Sequence, residues 1–146
     1  MFATMLHLVL CFNMKKITEI LHQNDLVRTS CREEIIKAFV ESPNPLSKDE
    51  VKTVIPGNFD RTTFYRTFKT LISKDVIHKI VIDNTIVKYA ITENQNQTKQ
   101  HAHFFCKGCN RVFCIPMVSW TYKGLPDNYY AEQAEILIKG YCANCN

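Results

Sequence analysis

The chain has 146 residues, seven cysteines and a formal net charge of +4 at neutral pH. That length allows one domain, or two small ones that lean on a metal or a partner, and the pattern below fits two. Bulk charge says little about a nucleic-acid partner: residues 14–93 carry 13 Lys and Arg against 11 Asp and Glu, a surplus of two. Any such reading has to rest on local placement.

The apolar run Met1 to Phe12 is too short to span a bilayer and lacks the basic lead and small-residue cleavage site of a secretory signal. Met14-Lys15-Lys16 resembles a natural start, so residues 1–13 are expected to be an extension added in error or a cap on the first helix. Seven cysteines without an export signal suit a reducing cytoplasm, where thiols stay free for metal.

Lys15 to His22 places Ile17, Ile20 and Leu21 at helical spacing, and Asn24-Asp25 ends that short helix. Ser30-Cys31-Arg32-Glu33 has the form of a capping box for a second helix with Ile35, Ile36, Phe39 and Val40 inward, stopped by Pro43-Asn44-Pro45. A second box, Ser47 to Glu50, opens a third helix expected to bury Val51, Val54 and Ile55 before Pro56-Gly57. Asp60 can cap a fourth, whose buried stripe is Phe64, Phe68, Leu71 and Ile72. Its other side shows Arg61, Thr62, Tyr65, Arg66 and Lys69.

After Ile72 the period changes from near 3.6 to 2. Val76 to Ile82 and Thr85 to Ile91 are β-branched runs, with Asp83-Asn84 between them as an expected two-residue turn. Three helices, a polar-faced helix and a hairpin spell a winged helix-turn-helix, in which the last helix enters the major groove of DNA. Arg61 and Arg66 suit phosphate or guanine, Thr62 can bond a base or phosphate, and Tyr65 can pack on sugar or a thymine methyl.

Thr92 to Lys99 hold no apolar side chain and read as a linker. The expected division is a DNA-binding domain at 14–93, a linker at 94–99 and a second domain at 100–146. Within the second, Ala102 to Phe105 and Arg111 to Ile115 read as strands. Met117 to Tyr122 reads as a short helical turn, Pro126 to Asn128 as a turn, and Tyr129 to Gln133 with Glu135 to Tyr141 as a final hairpin. The whole is of α+β class.

That second domain is bracketed by Cys106-Lys-Gly-Cys109 and Cys142-Ala-Asn-Cys145. Two such pairs can close a tetrahedron of thiolates about one zinc ion with no open position, which makes a structural site whose filling is part of folding. A redox Cys-x-x-Cys comes as one pair beside a βαβ pattern, and that pattern is missing here.

Taken together, the motifs resemble the ferric uptake regulator family of bacterial metal-dependent transcription factors. Arg61-Thr-Thr-Phe-Tyr-Arg-Thr-Phe-Lys-Thr-Leu71 is similar to the family's recognition helix, and His101-x-His103-x-x-Cys106-x-x-Cys109 and Gly140-x-Cys142-x-x-Cys145 match its metal motifs in order and spacing. The resemblance implies a winged-helix domain, a small α/β dimerisation domain with a structural zinc held by the four cysteines, and a regulatory metal at the hinge. Of the hinge ligands only His101 and His103 remain, because Pro45, Ala90 and Cys114 stand at the other three places. A further family site is lost to Gln100, Ala102 and Ala134.

The expectation is therefore a cytoplasmic, homodimeric repressor that binds a pseudo-palindromic double-stranded operator. No membrane contact, small-molecule substrate or catalytic residue is expected. His101 and His103 with Cys114, and a fourth ligand from the wing or linker such as Glu93, would form a second, weak site of soft ligands that favours zinc over iron(II) or manganese(II). Two other readings compete. One is a zinc-stapled thiol redox sensor using Cys31, Cys114 or Cys11, against which the apolar setting of Cys114 counts. The other is a winged helix that has lost its metal response.

Overall fold

Thr29 and Ser30 can both cap a helix, and in the computed structural model the earlier residue does so. Thr29 lies in the β region and its hydroxyl oxygen accepts from the Arg32 N–H at 3.4 Å. Glu33 is drawn into an ion pair with Arg28, so the expected Ser30 capping box does not form. The structure describes residues 14–92, 102–115, 124–131 and 134–146. Residues 1–13, the linker 94–99, Glu93, His101 and the expected turn at Met117 to Tyr122 lie outside them.

Four helices come first: α1 at residues 14–23, α2 at Ser30–Glu41, α3 at Lys48–Val54 and α4 at Arg61–Ser73. At the end of α1, Asp25 takes a left-handed backbone (φ 53°) and the Leu26 N–H returns to the Leu21 carbonyl at 2.9 Å. The capping box at Ser47 and Glu50 forms in both directions. Helix α3 is too short to bury a broad stripe: Val51 and Ile55, four apart, turn inward. Val54, expected inside, is 59% exposed.

The helices close on one core that contains Ile17, Leu21, Ile35, Ile36, Phe39, Val51, Phe64, Phe68 and Leu71. Phe68 anchors it, packed edge-on to Tyr89 at 4.8 Å and tilted against Phe39 and Phe64. Burying each such side chain contributes about 1.5–3 kcal/mol.

The hairpin β1 (Ile77–Val81) and β2 (Val87–Ile91) follows. Its loop is one residue longer than the sequence pattern predicts. The Ile82 N–H bonds the Ile86 carbonyl at 3.0 Å, and Asp83, Asn84 and Thr85 make the turn between them. The Asp83 carboxylate holds this loop by accepting from the Thr85 and Ile86 N–H groups at 2.8 and 2.9 Å. In the resulting register His78 sits opposite Ala90 and Lys79 opposite Tyr89.

Both faces of the hairpin are used. Ile77, Val87, Tyr89 and Ile91 join the helical core. Ile80, Ile82, Ile86 and Ala90 join a second cluster with Phe105, Val112 and Leu137. Those last three belong to a sheet of β3 (Ala102–Cys106), β4 (Val112–Ile115) and β5 (Ile136–Gly140), in the order β4-β3-β5. Strand β3 pairs antiparallel with β4 and parallel with β5. The expected hairpin at Tyr129 to Tyr141 is thus not formed: Tyr129 and Tyr130 lie in exposed irregular chain, and β5 finds its partner in β3 instead. The turn at Pro126 to Asn128 is present, with the Tyr129 N–H on the Pro126 carbonyl at 3.1 Å. Among the described residues no helix is long and apolar enough to cross a membrane.

One ion pair ties α3 to the hairpin: Lys88 Nζ donates to both Glu50 carboxylate oxygens, at 2.7 and 2.6 Å. Burial would push the Glu50 carboxyl up, but Lys88 and the Ser47 cap together hold it below its ordinary range. A carboxyl whose folded pKa is depressed adds stability above its unfolded value, and that stability is lost as pH falls through the folded value. Glu50 is 47% exposed, so the contribution is screened to about 0.5–1 kcal/mol. Glu50→Gln should lower unfolding free energy by that amount at neutral pH, and the deficit should shrink below about pH 4. Urea titrations of both proteins across that range read it directly.

Candidate metal centres and DNA-facing helix

The parallel pairing of β3 with β5 sets Cys106 beside Gly140, so the two Cys-x-x-Cys loops leave the sheet side by side. The Lys107 N–H bonds the Gly140 carbonyl at 2.8 Å and the Asn110 N–H bonds the Cys106 carbonyl at 2.9 Å. In the second loop, the Cys145 and Asn146 N–H groups both return to the Cys142 carbonyl, at 2.8 and 3.0 Å. Gly108 is required by closeness alone: a Cβ there would lie 2.7 Å from Cys145 Cβ.

All four sulfurs, of Cys106, Cys109, Cys142 and Cys145, lie within 4.8 Å of one another. Cys109 Sγ and Cys142 Sγ are 3.9 Å apart. A tetrahedron with zinc–sulfur bonds of about 2.3 Å has edges of about 3.8 Å. Hydrogen bonds point at the sulfurs as they would at thiolates: the Cys142 N–H reaches Cys106 Sγ at 3.3 Å and Arg111 Nε reaches Cys109 Sγ at 3.2 Å. The first lowers the Cys106 thiol to about 6, and Arg111 lowers Cys109. Cys145 is pushed up to about 12 by its hydrogen bond to Cys142 and by burial. Four adjacent thiols do not all ionise unaided, whereas a divalent cation at their centre removes that conflict. The donor set fits zinc, and Cys106, Cys109, Cys142 and Cys145 would hold it.

A second cluster lies where the hairpin meets the three-stranded sheet. His78 of β1, His103 of β3 and Cys114 of β4 bring their ligand atoms within 4.8 Å of one another. His103 and Cys114 are direct cross-strand partners, so their side chains share one face. His78 meets them from the opposing hairpin, with its Nε2 3.3 Å from His103 Nε2. Its Nδ1 lies 3.4 Å from the Thr92 hydroxyl. His103 is buried, His78 half-buried and Cys114 exposed.

The sequence pattern grouped His103 with Cys114, which the structure places side by side, but did not include His78. A signal for it was present: period-two alternation puts His78 on the face of Ile80 and Ile82, and it stands across from Ala90, where the family pattern has a carboxylate. The exposure of Cys114 also corrects the expectation of an apolar, inaccessible setting. Cys31 behaves in the opposite way, since it is buried in the helical core and burial pushes its thiol up. Such a thiol is inert rather than redox-active.

On α4, Arg61, Thr62, Tyr65 and Arg66 are all exposed on one side of the helix. Asp60 holds its first turn by accepting from the Thr63 N–H at 2.9 Å and from the Thr63 hydroxyl at 2.5 Å. Arg61 lies over the Tyr65 ring at 5.6 Å, and Lys48 of α3 lies 5.7 Å from the same ring. The face is therefore cationic, with one aromatic ring at its middle.

The profile of the Ferric uptake regulator family matches residues 9–119. No curated protein sequence matches the chain. Among solved structures, the Helicobacter pylori ferric uptake regulator Fur, described as having three functional metal binding sites, superposes with a TM-score of 0.60 at 16% identity, covering 91% of each chain. The iron-bound ferric uptake regulator of Francisella tularensis gives 0.57 at 21% identity, over 82% of this chain and 94% of that one. A zinc uptake regulator complexed with zinc and DNA gives 0.64 at 18% identity, over 91% and 94%. At these identities the superpositions speak for the fold, and the family match carries the assignment: the chain belongs to the Ferric uptake regulator family of metal-responsive, DNA-binding transcriptional regulators.

Proposed function

We propose that the protein is a homodimeric repressor, not an enzyme, that binds a pseudo-palindromic DNA operator through α4. The observation that carries this reading is the α4 face, where Arg61, Thr62, Tyr65 and Arg66 project together from a helix held rigidly by Phe64, Phe68 and Leu71. A two-fold dimer would present two such helices to half-sites about one helical turn, or a multiple of it, apart. Residues 14–93 form the DNA-binding domain in this reading, 94–99 the linker and 100–146 the dimerisation domain. Zinc held by Cys106, Cys109, Cys142 and Cys145 serves there as a structural staple. The relative with zinc and DNA supports the pairing of these two properties in one fold.

Arg66→Ala and Tyr65→Ala should each weaken operator binding by about 1–3 kcal/mol without lowering the melting temperature. The Arg66 variant should also flatten the dependence of binding on log salt by about one unit if its contact is to phosphate. Gel-shift or anisotropy titrations on a promoter library at several salt concentrations measure both effects. Unchanged affinity in both variants would remove α4 as the reading surface.

The staple has its own test. Gly108→Ala forces a Cβ against Cys145, and overpacking of this kind costs about 1–3 kcal/mol. Its zinc affinity should therefore fall roughly five- to 150-fold, measured by competition with a chromophoric chelator. Cys142→Ser should lose the ion outright and, with it, the cooperative unfolding of the β4-β3-β5 sheet.

A further inference from the structure

We infer that Lys48 is a further DNA-contacting residue, a cation held in a cage of three aromatic rings that takes a backbone phosphate of the bound duplex. The inference deepens the DNA-binding reading of α4 and rests on it. Lys48 is the first residue of α3. Its Nζ lies 5.7 Å from the ring centre of Tyr65, 5.3 Å from that of Phe68 and 5.5 Å from that of Tyr89. Those rings belong to α4 and β2, so one ammonium sits at the junction of three elements.

On local grounds the position is a poor one for a cation. The first turn of a helix carries partial positive charge from its unpaired N–H groups, and the other charged residues there, Asp49 and Glu50, are acidic as that rule demands. The Glu50 carboxylate is already occupied: it accepts from Lys88 Nζ at 2.7 and 2.6 Å and from the Ser47 N–H at 2.6 Å. Asp49 projects from a different side of α3, since adjacent residues in a helix do not face each other. Among the described residues Lys48 enters no ion pair. What holds its charge is the negative faces of the rings. Phe68 and Tyr89 are buried and Tyr65 is 39% exposed, so two of the rings belong to the core and the third reaches the outer face of α4.

Aromatic faces stabilise an ammonium without neutralising it. The side chain is half-buried and held, so much of the rotamer freedom that a lysine loses on binding a ligand is already lost on folding. Lys48 thus presents a preset positive charge beside Tyr65, and Arg61 lies over the same ring at 5.6 Å. Two cations at one ring repel each other, and a polyanion running past the ring removes that cost. Duplex DNA, with a phosphate about every 3.4 Å along each strand, supplies one at any sequence. A lysine is a point charge suited to a single phosphate, whereas the planar Arg61 and Arg66 suit bidentate contacts. Lys48 therefore positions the duplex, and α4 reads it.

The full-length, zinc-loaded protein is titrated at several salt concentrations with a duplex selected from a promoter library and with a scrambled duplex. Lys48→Met and Lys48→Gln both remove the charge, the first keeping the length of the side chain, and Lys48→Arg keeps the charge. The first two should bind both duplexes roughly tenfold more weakly and flatten the slope of log affinity against log salt by about one unit. An equal loss on both sequences separates this contact from a base contact, whose loss falls on the selected duplex alone. Lys48→Arg should retain the slope, and so should Lys37→Met on α2, which removes the same charge elsewhere. A lower melting temperature with an unchanged slope, the outcome of a purely structural Lys48, overturns the inference. So does a slope that falls equally in Lys37→Met. A wild type that binds neither duplex removes the DNA-binding reading itself, and this inference with it.

Discussion

The register of one hairpin governs most of this structure. Because β1 and β2 carry apolar side chains on both faces, those side chains divide between two contacts, and a slip of one residue would exchange the sets. In the observed register Tyr89 enters the helical core against Phe68 while His78, Ile80 and Ile82 face the sheet. The register is fixed by the three-residue loop that Asp83 organises and by the pair of bonds between Leu46 and Tyr89, at 2.9 and 2.7 Å. A hairpin that is apolar on one side only could not transmit anything between the helices and the sheet. This one is a shared wall.

The C-terminal sheet is small for the work it does. Three strands of four or five residues are at the lower limit of an independently stable sheet, and they need an apolar face to pack on. They obtain support at two ends. At one end Phe105, Val112 and Leu137 lean on the hairpin, and Lys139 Nζ donates to the Ile82 carbonyl at 2.8 Å. At the other end the parallel pairing of β3 and β5 delivers two thiol pairs to one point. A parallel neighbour needs a long connection, which explains why some thirty residues separate the knuckles rather than the few of a bare ribbon.

The helical half was legible because its signals are local. Caps at Ser47 and Asp60, the prolines after Ser42 and the Phe64, Phe68, Leu71 stripe each act within a turn or two of helix. Where local signals were ambiguous the reading slipped by one position, as at Thr29 for Ser30, or by one side, as at Val54. The four cysteines were legible from spacing. The pairing of β5 was not, because nothing local to Ile136–Gly140 says whether its partner is the preceding chain or β3. His78 falls between these cases: the alternation that places it was visible, but its partners lie on strands more than twenty residues away.

Register also explains how side chains from three separate strands come to share one point. A binding site on a sheet is defined by a patch of one face, and residues directly across from each other on paired strands have Cβ atoms only about 4.5–5.5 Å apart. His78 on β1 stands directly across from Ala90 on β2, so the two positions reach the same spot on the sheet-facing side of the hairpin. An imidazole or a thiolate is a softer donor than a carboxylate, and both kinds are present on this face, at His78 and at Cys114. Taken by face rather than by sequence position, three donor side chains meet on converging strands. The fold sets where His78, His103 and Cys114 meet, and the side chains that fill that face set the chemistry available there.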